Sequence, residues 1–150
     1  MEAVIFVGIQ ATGKSSFYRK RFFDTHVRIN LDMLKTRHRE RLLVRACIEA
    51  KQPFVVDNTN PSVEERARYI EPARSAGFHV TGYYFSSSVG ETLARNARRT
   101  GKARVPEKGI FGTRKRLQAP NLEEGFDELC YVWIDDAGCF VVEERSDELR

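Results

Sequence analysis

"GIQATGKS" (residues 8–15) is the stretch on which the fold turns. It matches G-x-x-x-x-G-K-[ST] and stands between an apolar run, "AVIFVG" (3–8), and a helix-like stretch reaching about Phe23. A strand, a tight glycine-containing loop and a helix in that order turn successive backbone N–H groups inward, and the helix N-terminus adds partial positive charge. The motif predicts a nucleoside triphosphate site built from Gly8, Ile9, Gln10, Ala11, Thr12, Gly13, Lys14, Ser15 and Ser16. Lys14 is expected to reach the β- and γ-phosphates, and the Ser15 hydroxyl to ligate magnesium.

Working outward, strands and helices alternate. "HVRIN" (26–30) reads as a short second strand. Residues 33–51 read as one helix, with Leu34, Leu42, Leu43, Ala46, Cys47 and Ala50 on a broad apolar face. "PFVVD" (53–57) is a third strand opened by Pro53. Residues 62–77 form a helix, with Ser62 and Glu65 spaced as a capping box and Gly77 as its stop. "FHVTGYYF" (78–85) is a fourth strand, two helical patterns follow, and residues 130–144 read as strand, turn and strand. This order predicts a single α/β domain over residues 1–150, a parallel sheet with right-handed crossovers, and a C-terminal strand pair. Ligands of such sheets bind beyond the carboxyl ends of the strands, so the residues just after each strand carry the interest.

Composition agrees with one globular domain: of 150 residues, 41% are hydrophobic and 31% charged. No apolar run approaches a membrane span, and "MEAVIFVG" lacks the basic lead and long apolar segment of a signal peptide. The three cysteines, Cys47, Cys130 and Cys139, form no metal-ligand spacing, which fits a reduced, cytoplasmic protein. Charge is uneven. Between Arg95 and Arg116 lie nine Lys or Arg and one acid, a net of +8, which leaves −4 for the remainder. Such a run is either a solvated face or, over a phosphate site, a surface for an anionic partner. The acidic tail after residue 144 is expected to fray.

Three stretches at the predicted sheet edge carry chemistry. After strand three, "DNTN" (57–60) ends an apolar strand with Asp57, either a magnesium-orienting carboxylate or the start of an Asx turn into Pro61. After strand two, Asp32 is either an N-cap or a general base accepting the proton of an attacking hydroxyl. After strand four, "RNARRTGKARVP" (95–106) lies in a basic segment, about 90–118, suited to closing over a triphosphate. Its Arg95 and Arg99 are four apart and are expected on one helix face. His26, His38 and His79 suit strand-end or surface roles. Tyr83, Tyr84 and Phe85 suit packing, and Trp133 suits core or base stacking.

Together these residues resemble the 5′-kinase domain of the polynucleotide kinases, the phage and metazoan end-healing enzymes. The P-loop "GIQATGKSS", then "NLD", "DNTNP", "RNARR" and "PNLEEGF" (120–126) follow the family's order over nearly the whole chain. The resemblance implies a P-loop kinase fold with a basic helical lid, ATP and Mg2+ as cofactors, and Asp32 as general base. It further implies Lys14 with Arg95 and Arg99 on the ATP phosphates, and Ser15 with Asp57 on the metal. Lys35, Asp57, Asn58 and Thr59 would face the acceptor, with Lys35 standing where some members have an arginine. Two departures stand out: Leu31 replaces the arginine of N-R-D, and Gln10 and Ala11 replace the usual Pro and Gly. The expected reaction is phosphorylation of a 5′-hydroxyl of RNA or DNA. A nucleoside or sugar kinase and a non-catalytic nucleotide switch are the rivals. No N-K-x-D guanine motif and no D-x-D-x-T phosphatase signature occurs.

Overall fold

A computed structural model describes residues 1–86, 89–101 and 104–145. Lys102 of the basic segment and the end of the acidic tail, 146–150, lie outside the described residues. The order is β1 (Glu2–Val7), α1 (Lys14–Arg21), β2 (Val27–Ile29), α2 (Leu31–Leu34), α3 (Arg37–Ala50), β3 (Phe54–Val56) and α4 (Val63–Ser75). There follow β4 (His79–Phe85), α5 (Val89–Ala97), α6 (Glu107–Arg116), a 3-10 turn (Leu122–Glu124), β5 (Glu128–Ile134) and β6 (Phe140–Glu144).

One six-stranded sheet runs β2-β3-β1-β4-β5-β6. The first five strands are parallel, and β6 closes the far edge antiparallel to β5. β1 is central and alternates between two cores. Its Ala3, Ile5 and Val7 face one cluster with Val44 and Cys47 of α3 and Tyr69, Ile70 and Ala73 of α4. Its Val4 and Phe6 face the other, with Phe17 and Tyr18 of α1, Phe22, Tyr83 and Phe85. There Phe6 stands 4.9 Å from Phe85 and 5.9 Å from Phe17, ring centre to ring centre. Such tilted and edge-on pairs add roughly 0.5–1.5 kcal/mol each beyond area burial. This anchors α1, and therefore the loop preceding it, to the sheet.

Five expectations are corrected. The helix expected over 33–51 is two helices. Lys35 takes a positive φ of 75° and Thr36 caps α3, its hydroxyl accepting from the Arg39 N–H at 3.2 Å. The buried stripe of α3 is Glu40, Val44 and Cys47, whereas Leu42 is 48% exposed. Ser62 caps α4, accepting from the Glu65 N–H, but the Glu65 carboxylate turns to Arg116 instead of completing a capping box. Before the 3-10 turn the Glu124 carboxylate accepts from the Asn121 N–H at 3.0 Å. Arg95 and Arg99 do not share a helix, because α5 stops at Ala97. Trp133 is half-buried on β5, outside both core clusters and away from the sheet-edge cleft.

Candidate active site

The carboxyl ends of β1, β2 and β3 open onto a cleft of about 900 Å³. After β1 the chain enters the loop 8–13, which needs two left-handed residues, Ala11 at φ 61° and Gly13 at φ 92°. A Cβ on Gly13 would meet Phe140 at 3.1 Å and Ile134 at 3.2 Å, so the β5–β6 hairpin braces the loop from behind. The Gly8 N–H donates to the Thr59 carbonyl at 2.9 Å, tying this loop to the one after β3.

Lys14 opens α1 and is nearly buried. Its ammonium donates to the carbonyls of Gly8 at 3.0 Å and Ile9 at 2.7 Å. Burial lowers its pKa to about 8, against Asp57 and Asp32, which favour the charged form, while Arg99 adds to the lowering. Ser15 and Asp57 meet directly: the Ser15 hydroxyl donates to Asp57 Oδ2 at 2.9 Å. Asp57 is 2% exposed, and its carboxylate serves Ser15 and Arg28 rather than an Asx turn. Arg28, on β2, donates through Nε to the same Oδ2 and through Nη2 to Ser15 Oγ, each at 2.9 Å.

At the end of β2, the N-cap of α2 is Asn30, which accepts from the Met33 N–H at 2.9 Å and donates to the Asp57 carbonyl at 2.6 Å. Asp32 is therefore not the cap. It lies exposed on the cleft wall in the first turn of α2, with Leu31, Met33 and Lys35 also lining the cleft. Asn58 holds this turn: its Oδ1 accepts from the Leu31 N–H at 2.8 Å, and its Nδ2 donates to Glu40 Oε2 at 3.0 Å. Glu40, 2% exposed, also accepts from Tyr69 and Arg37, each at 2.9 Å. Burial first, then the Glu40 charge, pushes the Tyr69 phenol up to about 12, so it remains a donor.

On the basic side, Asn96 exchanges hydrogen bonds with the N–H and carbonyl of Val105, clamping the ends of the loop between α5 and α6. Arg99, in that loop, lines the cleft, and Arg95 does not. Gln10 donates to Thr113 of α6 at 2.8 Å, joining the P-loop to the basic segment.

The structure thus brings Lys14, Ser15, Asp32, Lys35, Asp57, Asn58, Thr59 and Arg99 to one cleft, with Gln10, Ala11, Gly13 and Ser16. Gly8, Ile9 and Thr12 form the loop's inner wall, and Thr12 Oγ1 donates to the Ile9 carbonyl. Sequence reasoning missed Arg28, Asn30, Arg37 and Glu40. Arg28 is one residue of a short strand with nothing local to mark it. Glu40 carried a signal, being in helical register with Val44 and Cys47 on the buried stripe.

A family model described as an AAA domain matches residues 29–120, more than half of the chain. The bifunctional polynucleotide phosphatase/kinase of Schizosaccharomyces pombe is 31% identical over 134 residues, 83% of this chain and 32% of that protein's length. The chain therefore spans about a third of that relative. A gluconokinase from Sinorhizobium meliloti 1021 shares the fold with a TM-score of 0.60 at 18% identity, covering 87% of this chain and 82% of its own. Kti12 of Chaetomium thermophilum, solved with ADP-AlF3, does so with a TM-score of 0.63 at 15% identity, covering 91% and 92%. The P-loop, the mostly parallel sheet and the sequence match together identify the chain as a member of this AAA-domain family of P-loop kinases, one that resembles a polynucleotide phosphatase/kinase over most of its own length.

Proposed function

We propose that the chain transfers the γ-phosphoryl group of ATP, in a magnesium-dependent reaction, to a 5′-hydroxyl of RNA or DNA. The observation that carries this reading is Asp32, an exposed carboxylate on the wall of the cleft that holds Lys14. Exposed Met33 and Lys35 flank it, so the acceptor can be longer than a pocket-sized alcohol. Among the described residues, seven Lys and Arg side chains line the cleft against three carboxylates, which suits an anionic acceptor as well as ATP. The polynucleotide phosphatase/kinase of Schizosaccharomyces pombe supports the same class of acceptor by its name.

In the reaction the acceptor oxygen bonds to the γ-phosphorus, the bond to the β–γ bridging oxygen breaks, ADP leaves, and the acceptor proton passes to Asp32. Lys14 and Arg99 neutralise charge spread over the transferred group. Arg99 reaches the cleft from a loop whose ends Asn96 fastens. The residues fit magnesium, because the Ser15 hydroxyl and the buried Asp57 carboxylate are paired hard oxygen donors. When bound, the ion supplies charge neutralisation between the phosphates.

A small alcohol is the second reading, and Leu31 favours it, since an apolar side chain lines the cleft beside Asp32. Incubation with labelled ATP and 5′-hydroxyl oligonucleotides, nucleosides and sugars separates the two. Label on the oligonucleotide 5′ end is expected; label on small alcohols alone refutes the polynucleotide assignment. Asp32→Asn should lower kcat by about 100-fold or more while leaving ADP affinity near wild type. Undiminished transfer by that variant removes Asp32 as the base. Nucleotide binding without transfer to any acceptor supports a switch instead.

A further inference from the structure

The Arg28 guanidinium occupies an unexpected place. It bridges Asp57 Oδ2 and Ser15 Oγ with two hydrogen bonds of 2.9 Å, and those are the two groups assigned above to the magnesium ion. Oδ2 also receives the Ser15 hydroxyl proton, so one carboxylate oxygen accepts two donors. The Ser15 oxygen has two lone pairs, and one of them points at Arg28. A cation binding these groups shares the Asp57 carboxylate and the Ser15 oxygen with the guanidinium, and it meets a positive charge within hydrogen-bonding range of its ligands.

We propose that Arg28 is a resident counter-cation of the metal position. It keeps the buried Asp57 carboxylate paired and aimed at Ser15, and it competes with the incoming divalent ion for the same two groups. The inference rests on the kinase reading, which supplies the ion. Burial makes the exchange asymmetric. The Asp57 side chain is 2% exposed and fixed, whereas Arg28 is 28% exposed and can withdraw. Its Cζ lies 6.0 Å from the centre of the Tyr18 ring, an aromatic face on which a released guanidinium can rest. A buried carboxylate left without any cation is costly, so a side chain that fills in for the metal protects the fold between turnovers. The outcome is weaker ion binding than Ser15 and Asp57 would give by themselves. Arg28 is in this sense a positioning residue for the ion, not a group that touches the reacting atoms.

The test uses Mn2+ as the probe, read by electron paramagnetic resonance with the protein saturated in ADP, and ADP affinity measured separately in a chelator. Arg28→Gln should bind Mn2+ about threefold or more tighter than wild type, each variant being saturated with ADP according to its own metal-free ADP affinity. Arg28→Lys keeps the charge but cannot bridge both oxygens, and it should fall between the two. If Arg28→Gln fails to fold, Arg28→Lys alone decides, because Mn2+ binding equal to or weaker than wild type in a folded variant overturns the proposal. In that case Arg28 builds the ion site and does not compete for it. A wild-type protein that binds neither ADP nor Mn2+ overturns the kinase reading and this proposal with it, a result distinct from unchanged Mn2+ affinity in the variants.

Discussion

Lys14 donates to the carbonyls of its own loop while lying nearly buried, and these two facts set how it titrates. Burial brings its pKa from 10.5 to about 8. Between those values the folded chain holds fewer protons than the unfolded one, so this group's contribution to stability rises with pH across that window. A bound polyphosphate reverses the sign locally, because anionic oxygens favour the ammonium. Near pH 8 the lowered pKa leaves Lys14 partly neutral, and ADP binding should draw protons in. Calorimetric titration with ADP at pH 8 in two buffers of different ionisation enthalpy measures this directly. Heats that differ in proportion to the buffer enthalpies are expected; identical heats refute the coupling. Lys14 was legible in the sequence, since its motif fixes its place within eight residues. Arg28 was not, because its role exists only where β2, α1 and the end of β3 meet.

Among the elements, the 3-10 turn Leu122–Glu124 does more than its length suggests. Glu124 pairs with Arg66 of α4 through two hydrogen bonds, at 2.7 and 3.0 Å, with both side chains almost completely buried. Arg66 also donates to the Asn60 carbonyl at 2.9 Å, holding the residue that turns at φ 45° after "DNT". The turn thus reaches the cleft through α4 and the loop after β3. Removing one charge of a buried pair leaves the other uncompensated, and Glu124→Gln should destabilise the fold by about 3–5 kcal/mol. Urea denaturation checks this, and a loss under about 1 kcal/mol would mean the pair is not buried in solution. The stretch "PNLEEGF" was legible only through the family resemblance, whereas the alternation of strands and helices was readable from hydrophobic period alone. The break at Lys35 and Thr36 went unread for a physical reason. Helical propensity runs through 33–51, and it is overridden by Asn30 and Asn58, which pin the short α2 as a separate turn. That separate turn is what carries Asp32.

At the scale of the whole molecule the charge is sorted by place. The basic segment from Arg95 to Arg116 carries +8 while the rest of the chain carries −4, and Arg99 and Arg116 from that segment line the cleft with Lys14 and Asp32. No helix among the described residues is long and apolar enough to cross a membrane. A basic segment beside the exposed cleft wall that carries Asp32 allows a distinction that fold likeness cannot make, since the gluconokinase and Kti12 share the sheet at under 20% identity. A sugar or nucleoside brings no phosphodiester backbone, so its binding should be nearly indifferent to salt. A single strand that lays phosphates along the cleft releases counterions, and log K should fall against log salt with a slope of about −2 if three phosphates are neutralised. Fluorescence anisotropy of a 5′-hydroxyl oligonucleotide between about 50 and 200 mM salt reads this slope. A slope near zero with transfer intact would mean that the acceptor is held through its terminal sugar and base alone, and the basic surface would then belong to ATP. A steep slope lost on neutralising Lys35, with ATP affinity kept, would instead assign Lys35 to the acceptor strand.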